Sequence, residues 1–158
     1  MTEDTVSALQ LLLLRVEGQR WALHLRSVER VVRMVEITPL PGAPAAVVGV
    51  VNVQGKVLAC VSIRRRLGLP ERPVGPSDAL VLARARCRRL AIITESVVRL
   101  VEVPASAFAR CDEIVLGAPF VEGVLKTADG TVLIQDLDRF FSIEEERAIE
   151  QAMQDPNP

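Results

Sequence analysis

Apolar residues fall along this chain in short blocks, and the spacing inside each block changes from one to the next. Leu9 to Val16 is a nearly continuous apolar run, closed by Glu17-Gly18-Gln19. From Arg20 the pattern alternates, with Trp21, Leu23 and Leu25 on one side and Arg20, Ala22 and His24 on the other. A period of two predicts a strand with one buried face. Val28 to Ile37 continues in β-type residues, after a short helical turn expected around Ser27 to Arg30. Pro39, Pro41, Gly42 and Pro44 then force an irregular crossing. Val47 to Val53 and Val57 to Ile63 predict a hairpin around Gln54-Gly55-Lys56, where Gly55 accepts the positive φ of a tight turn. Arg64 to Leu69 predicts a helical turn ended by Gly68, and Pro70, Pro73, Gly75 and Pro76 mark a linker.

The strand pattern then resumes. Ala79 to Ala85 and Arg88 to Thr94 predict a hairpin turning at Arg86-Cys87, and Arg99 to Val103 a further strand stopped by Pro104. Ala105 to Gly117 is expected to be irregular. Phe120 to Thr127 and Thr131 to Gln135 flank Ala128-Asp129-Gly130, and Asp-Gly is a strong hairpin signal. The last block differs in kind: Ser142-Ile143-Glu144-Glu145 is a capping box, predicting a helix over 142–154 with Ile149, Ala152 and Met153 on its apolar side. Residues 1–8 and 155–158 are expected to be flexible termini.

The two halves answer each other. Arg20 to Leu25 corresponds to Arg89 to Thr94, and the same offset of 69 residues relates Ser27 to Ser96, Val28 to Val97 and Arg30 to Arg99. Gly49-Val50-Val51 answers Gly123-Val124-Leu125, Gly55 to Leu58 answers Gly130 to Leu133, and Ser62-Ile63 answers Asp136-Leu137. Two motifs recurring in order, with their turn glycines in register, predict a duplicated unit of about five strands spanning about 9–69 and 78–141. Units that small should pack on a shared hydrophobic core. The pattern leaves open whether strands exchange between the halves.

Composition agrees with a sheet protein: apolar residues make up 49% of the chain, mostly Val, Leu, Ile and Ala, with no Tyr. The net charge of −1 gives no field that would draw the chain to nucleic acid, and so few aromatics leave little to stack bases. All 19 basic residues except Lys56 and Lys126 are Arg, which can serve as solvated surface or as planar contacts to a partner's carboxylates. Cys60, Cys87 and Cys111 form no CxxC pair, and with His24 as the one histidine no metal site or cofactor is expected. No Ser, Cys or Asp stands in a nucleophile motif, and Asp136 and Asp138, at alternate positions on a strand end with no Gly loop, read as capping or solvated residues, so an enzyme is not expected. The acidic start and the shortness of apolar runs such as Leu11 to Leu14 predict a cytoplasmic protein without direct membrane insertion.

At Gly49-Val50-Val51-Asn52-Val53-Gln54-Gly55 the chain resembles the CheW family of bacterial chemotaxis coupling proteins, whose members carry Gly-x-x-Asn-Leu-Arg-Gly there. The resemblance extends through Pro41-Gly42-Ala43-Pro44, Trp21-Ala22-Leu23, Ser62-Ile63-Arg64, Thr94-Glu95-Ser96-Val97 and Asp136-Leu137-Asp138-Arg139, covering roughly Leu9 to Phe141. It implies a mainly β fold of two SH3-like five-stranded barrels on a shared core, to which the predicted C-terminal helix is added. It also implies a non-enzymatic adaptor joining the cytoplasmic tip of methyl-accepting chemoreceptors to the regulatory domain of a CheA-type histidine kinase. Recruitment to membrane receptor arrays would come through those partners. The same fold working in motility or developmental signalling is an alternative, and a small β-barrel nucleic-acid binder a remoter one.

Carried over by position, the receptor-binding residues implied are Val28, Gly49, Asn52, Gln54 and Gly55, with Arg30, Arg33 and Val35 as kinase-contact candidates. Two positions depart from the family. Gln54 replaces its arginine, and Arg30 stands where it has a glutamate, while Glu29 lies one place earlier. Those opposite charges can pair on the family's functional surface. Losing both removes a conflict that losing one would create, so the change reads either as retuned specificity or as decay of the site.

Overall fold

The computed structural model describes residues 8–86, 88–110, 120–128 and 130–154. Twelve strands are described among them: β1 (Ala8–Val16), β2 (Gln19–His24), β3 (Val28–Arg33), β4 (Ile37–Thr38), β5 (Val47–Val53), β6 (Lys56–Ser62), β7 (Ala79–Arg84), β8 (Arg89–Thr94), β9 (Ser96–Pro104), β10 (Phe108–Arg110), β11 (Val121–Thr127) and β12 (Gly130–Gln135). Two helices join them, α1 (Ile63–Leu67) and α2 (Ile143–Gln154). The expected termini at 1–7 and 155–158 lie outside the described residues, and Ala8 already belongs to β1.

The strands form two six-stranded sheets, ordered β10-β11-β12-β2-β1-β9 and β3-β7-β8-β6-β5-β4. Reversing the second makes the equivalence plain, because β4-β5-β6-β8-β7-β3 then matches the first strand for strand. Each sheet therefore takes one hairpin, β1-β2 or β7-β8, from the opposite half of the chain. That hairpin enters by a parallel joint: Leu133 is opposite Trp21 in one sheet, and Ala59 is opposite Leu90 in the other. The bulges repeat too, at Val47/Gly49 and Val121/Gly123. Each sheet has five longer strands and one short one, β4 or β10, giving two SH3-like subdomains.

The exchanged hairpins are buried on both faces, which explains their apolar runs. Leu11 and Leu13 pack with Ala22, Leu125, Val132 and Ile134 inside the first barrel. Leu12, Leu14 and Val16 face the other way, into a core shared with Val61, Val81, Ala83 and Ile92 of the second sheet. The alternation in β2 predicted one buried face, but Ala22 is as buried as Trp21 and Leu23. Its alternate face lies in the barrel interior, where a methyl group suffices. Cys60 sits in the second barrel's own core, and burial pushes its thiol up to about 12.

Other boundaries moved. The helical turn expected at Ser27 to Arg30 is a 3-10 turn at Leu25–Ser27. β9 starts at Ser96 rather than Arg99 because it pairs with β1 along its length. Phe108–Arg110, expected to be irregular, pairs with Leu125, Val124 and Gly123. Residues 111–119, the rest of that stretch, and Cys87 and Asp129 of the two predicted turns lie outside the described residues.

The helix α2 is capped reciprocally: Ser142 Oγ accepts the Glu145 N–H at 3.1 Å, and Glu145 Oε1 accepts the Ser142 N–H at 2.8 Å. It packs on its own chain through Ile149, which is fully buried in the shared core. Arg66 of α1 reaches toward it, placing its guanidinium 5.8–5.9 Å from the rings of Phe120, Phe140 and Phe141 and 2.8 Å from Glu145.

Candidate functional site

The β5-β6 turn and the start of β3 meet on the exposed side of the second sheet. At the turn, Gln54 and Gly55 have φ of 52° and 85°, the two positive values that match a tight hairpin to strand twist. Asn52 Oδ1 accepts the Gly55 N–H at 2.9 Å and braces the turn from within. Across from it, Arg30 Nη2 donates to Gln54 Oε1 at 2.6 Å. The two residues that depart from the family pattern are thus hydrogen-bonded to each other, 24 positions apart in sequence.

Around this pair lie Val53, Lys56, Leu58, Leu82 and Arg89, bordering a shallow cavity of about 80 Å³. Glu29 does not stand in for the missing acid. Its carboxylate takes a bidentate contact from Arg89, with Nη2 at 2.6 Å, and a second contact from Arg84 at 3.2 Å. The Arg89 hydrogen bonds hold Glu29 below the usual carboxylate value, and the same contact raises Arg89. Arg30, Arg33 and Lys56 make no ion pair with a described residue. The rim is therefore cationic, with a neutral acceptor at the turn and an apolar floor.

The remaining predicted residues divide. Val28 is half-buried against the shared core, at the mouth of β3. Gly49 is buried beneath β4, where an added Cβ would overlap the Thr38 carbonyl and lie 2.9 Å from Ile37 Cγ2. It shapes the sheet and adds no surface to the rim. Val35 packs against the core of the second barrel, while Arg33 is exposed at the end of β3. Arg88-Arg89 could serve as solvated surface or as partner contacts; the pairing of β3 with β7 and of β7 with β8 brings Arg89 to the rim, while Lys56 reaches it through the β5-β6 turn.

Two other motif residues meet elsewhere. Arg64 lies 2.6 Å from Glu95 and also contacts Glu17, while Arg72 joins Glu95 at 3.4 Å and Asp78 at 2.8 Å. Burial raises the Glu95 carboxyl, but the Glu17 N–H, Arg64 and Arg72 outweigh it and hold the group below its ordinary value. This network ties the β1-β2 turn to α1 and the linker, and it is architecture. Asp136 caps the 3-10 turn that follows it, accepting the Asp138 N–H at 3.0 Å. Among the described residues no group of three His, Cys, Asp or Glu could hold a metal ion, and no helix is long and apolar enough to cross a membrane.

The model of the CheW-like domain matches residues 10–145. A chemotaxis protein CheW of Rhizobium meliloti (strain 1021) is 26% identical over 141 residues, covering 88% of this chain and 91% of its own. Another, from Treponema pallidum (strain Nichols), is 21% identical over 142 residues, covering 86% and 84%. Among solved structures, the scaffolding protein TtCheW of Thermoanaerobacter tengcongensis superposes with a TM-score of 0.79 at 20% identity, over 88% of this chain and 96% of that one.

Proposed function

The chain belongs to the CheW-like domain family, and from that premise we propose that it is a non-enzymatic adaptor coupling the cytoplasmic tip of chemoreceptors to the regulatory domain of a CheA-type histidine kinase. Such a protein makes and breaks no bonds. It offers complementary surfaces, and each contact favours particular arrangements of the partner on the other side. The receptor face is formed by Val28, Asn52, Gln54 and Gly55, with Gly49 shaping the strand beneath; Arg30, a kinase-contact candidate by position, joins this face through its hydrogen bond to Gln54, and Arg33 and Val35 lie toward the kinase. The chain works in the cytoplasm and reaches receptor arrays through these partners.

The observation that carries this reading is the Arg30–Gln54 hydrogen bond. The family's acid and base have both been replaced, yet the two side chains still meet across the same turn. A decaying surface would have no reason to keep that contact, so the replacement reads as retuned specificity. With Arg30 and Lys56 at the rim, the receptor segment that fits is more acidic than one matched to a glutamate there.

The test is to exchange the pair. Receptor tips from the genome of origin are captured by the native chain and by the double variant Arg30→Glu, Gln54→Arg. The expected result is a change in which receptor tips are retained, while a kinase contact at a separate surface persists. An unchanged receptor profile would remove specificity from this pair.

A further inference from the structure

The bulge in β3 carries a carboxylate that the fold does not require. Val28 is opposite Ala83 and Arg30 opposite Leu82, leaving Glu29 as the extra residue. A bulge suspends the alternation that sends consecutive side chains to opposite faces, and it re-aims the side chain it carries. The internal repeat holds the same irregularity in β9, where Leu13 is opposite Arg99 and Leu14 opposite Val97, leaving Val98 over. Val98 packs against the core of the first barrel. An apolar residue therefore serves this bulge, and the acid at Glu29 needs another reason.

Glu29 stands beside the cationic rim, and it is held there from one side. Arg89 Nε lies 3.1 Å from both of its oxygens and Nη2 lies 2.6 Å from Oε1, a two-pronged contact that fixes the direction of a carboxylate. Arg84 adds one contact at 3.2 Å, and its side chain is 66% exposed against 30% for Arg89. Arg89 lines the same small cavity as Arg30, Gln54 and Lys56. The carboxylate is thus next in sequence to one rim cation and one side chain away from the other. Released by Arg89, it is free to turn toward Arg30 or Lys56 and cancel the charge that the rim presents.

We propose that Arg89 is a positioning residue for partner specificity: it holds Glu29 away from Arg30 and Lys56, so that these two cations meet the carboxylates of an acidic partner segment. Arg84 has a minor part, with a single contact from an exposed side chain. The inference rests on the reading of this rim as the receptor face, and it names the device that keeps the rim cationic.

The test is calorimetric titration of the full-length protein with a purified receptor tip from the genome of origin, at low and high salt. Arg89→Ala should weaken binding roughly tenfold at low salt and by much less at high salt. The double variant Arg89→Ala, Glu29→Ala should return to within about twofold of the native chain, because no acid is left to cancel the rim. Arg84→Ala removes the same charge but leaves the two-pronged contact, so it should weaken binding by no more than about twofold. Arg89→Lys keeps the charge without the fork and should fall between Arg89→Ala and the native chain. Glu29 is exposed and Arg89 half-buried, and amide spectra of each variant report that the fold is kept. If Arg89 were merely structural, the double variant would stay as weak as Arg89→Ala. That result would overturn the proposal, as would equal losses in Arg84→Ala and Arg89→Ala. Tip binding indifferent to every substitution would overturn it while leaving the receptor reading in place. A native chain that binds no tip would overturn both.

Discussion

At Gly49 the β4 strand passes so closely that an added Cβ would overlap the Thr38 carbonyl, and at Gly123 the β10 strand sets Phe108 and the Ala109 carbonyl against the same position. Neither glycine has the left-handed φ that would explain it, so the demand is purely for space. Gly75 has open space around its Cβ position and no such φ. Gly49→Ala is therefore expected to lower stability by about 1–3 kcal/mol, because rigid backbone must move. Gly75→Ala should leave it unchanged or raise it by about 0.4–1 kcal/mol through the unfolded chain. Urea midpoints of the two variants separate the cases. The same spacing logic bears on the site: Gly49 keeps the motif's glycine where β4 crosses closely, whereas Gln54 and Arg30, under no such demand for space, are the positions that depart from the motif.

At the scale of elements, α2 is held by one buried side chain and a rim of Arg–Glu contacts. Arg88 lies 2.7 Å from Glu146, and Arg66 is 2.8 Å from Glu145. Both pairs are part-buried, and Ile149 adds the helix's fully buried apolar side chain. Ile149→Ala should cost about 2–5 kcal/mol in chemical denaturation, while Glu150→Ala should change little. Strands, turns and this capped helix were legible because period, turn glycines and the capping box are local signals. β10 was not, since three residues with no alternation carry no period and its pairing to β11 is a long-range fact. Nor could alternation reveal that β2 is buried on both faces, because Ala22 reads as a neutral residue until the barrel interior behind it is known. Within the site, the Arg30–Gln54 meeting followed from the family motif rather than from the pattern. The capture of Glu29 by Arg89, 60 positions away, had no local signal at all.

On the scale of the whole molecule, the exchange of hairpins makes each barrel depend on the opposite half of the chain, so the fold should lose stability as one unit. Sequence could show that two halves repeat but not which hairpin joins which sheet. Trp21 and Leu90 present interchangeable apolar faces to equivalent parallel joints. Carboxylates spread over the molecule set its acid limit. Glu29, Glu95 and Glu145 are all held below the ordinary 4.5 by arginines and N–H groups, burial opposing this in each. The unfolded chain then binds more protons as pH falls, so this stability is complete above about pH 4.5 and is lost as pH drops through the folded values. Denaturation midpoints should fall steeply below that point, and Arg64→Ala, which removes one of the groups holding Glu95 while the Glu17 N–H and Arg72 remain, should flatten the fall in part.

The central claim is that one chain holds receptor and kinase together. Its most direct test is ternary co-capture: an immobilised regulatory domain of the CheA-type kinase from the genome of origin, incubated with its receptor tips, with and without this protein. The account predicts that receptor is retained only when the chain is present, and that the chain itself is retained with both. A folded native chain that binds neither kinase nor receptor would contradict the coupling role.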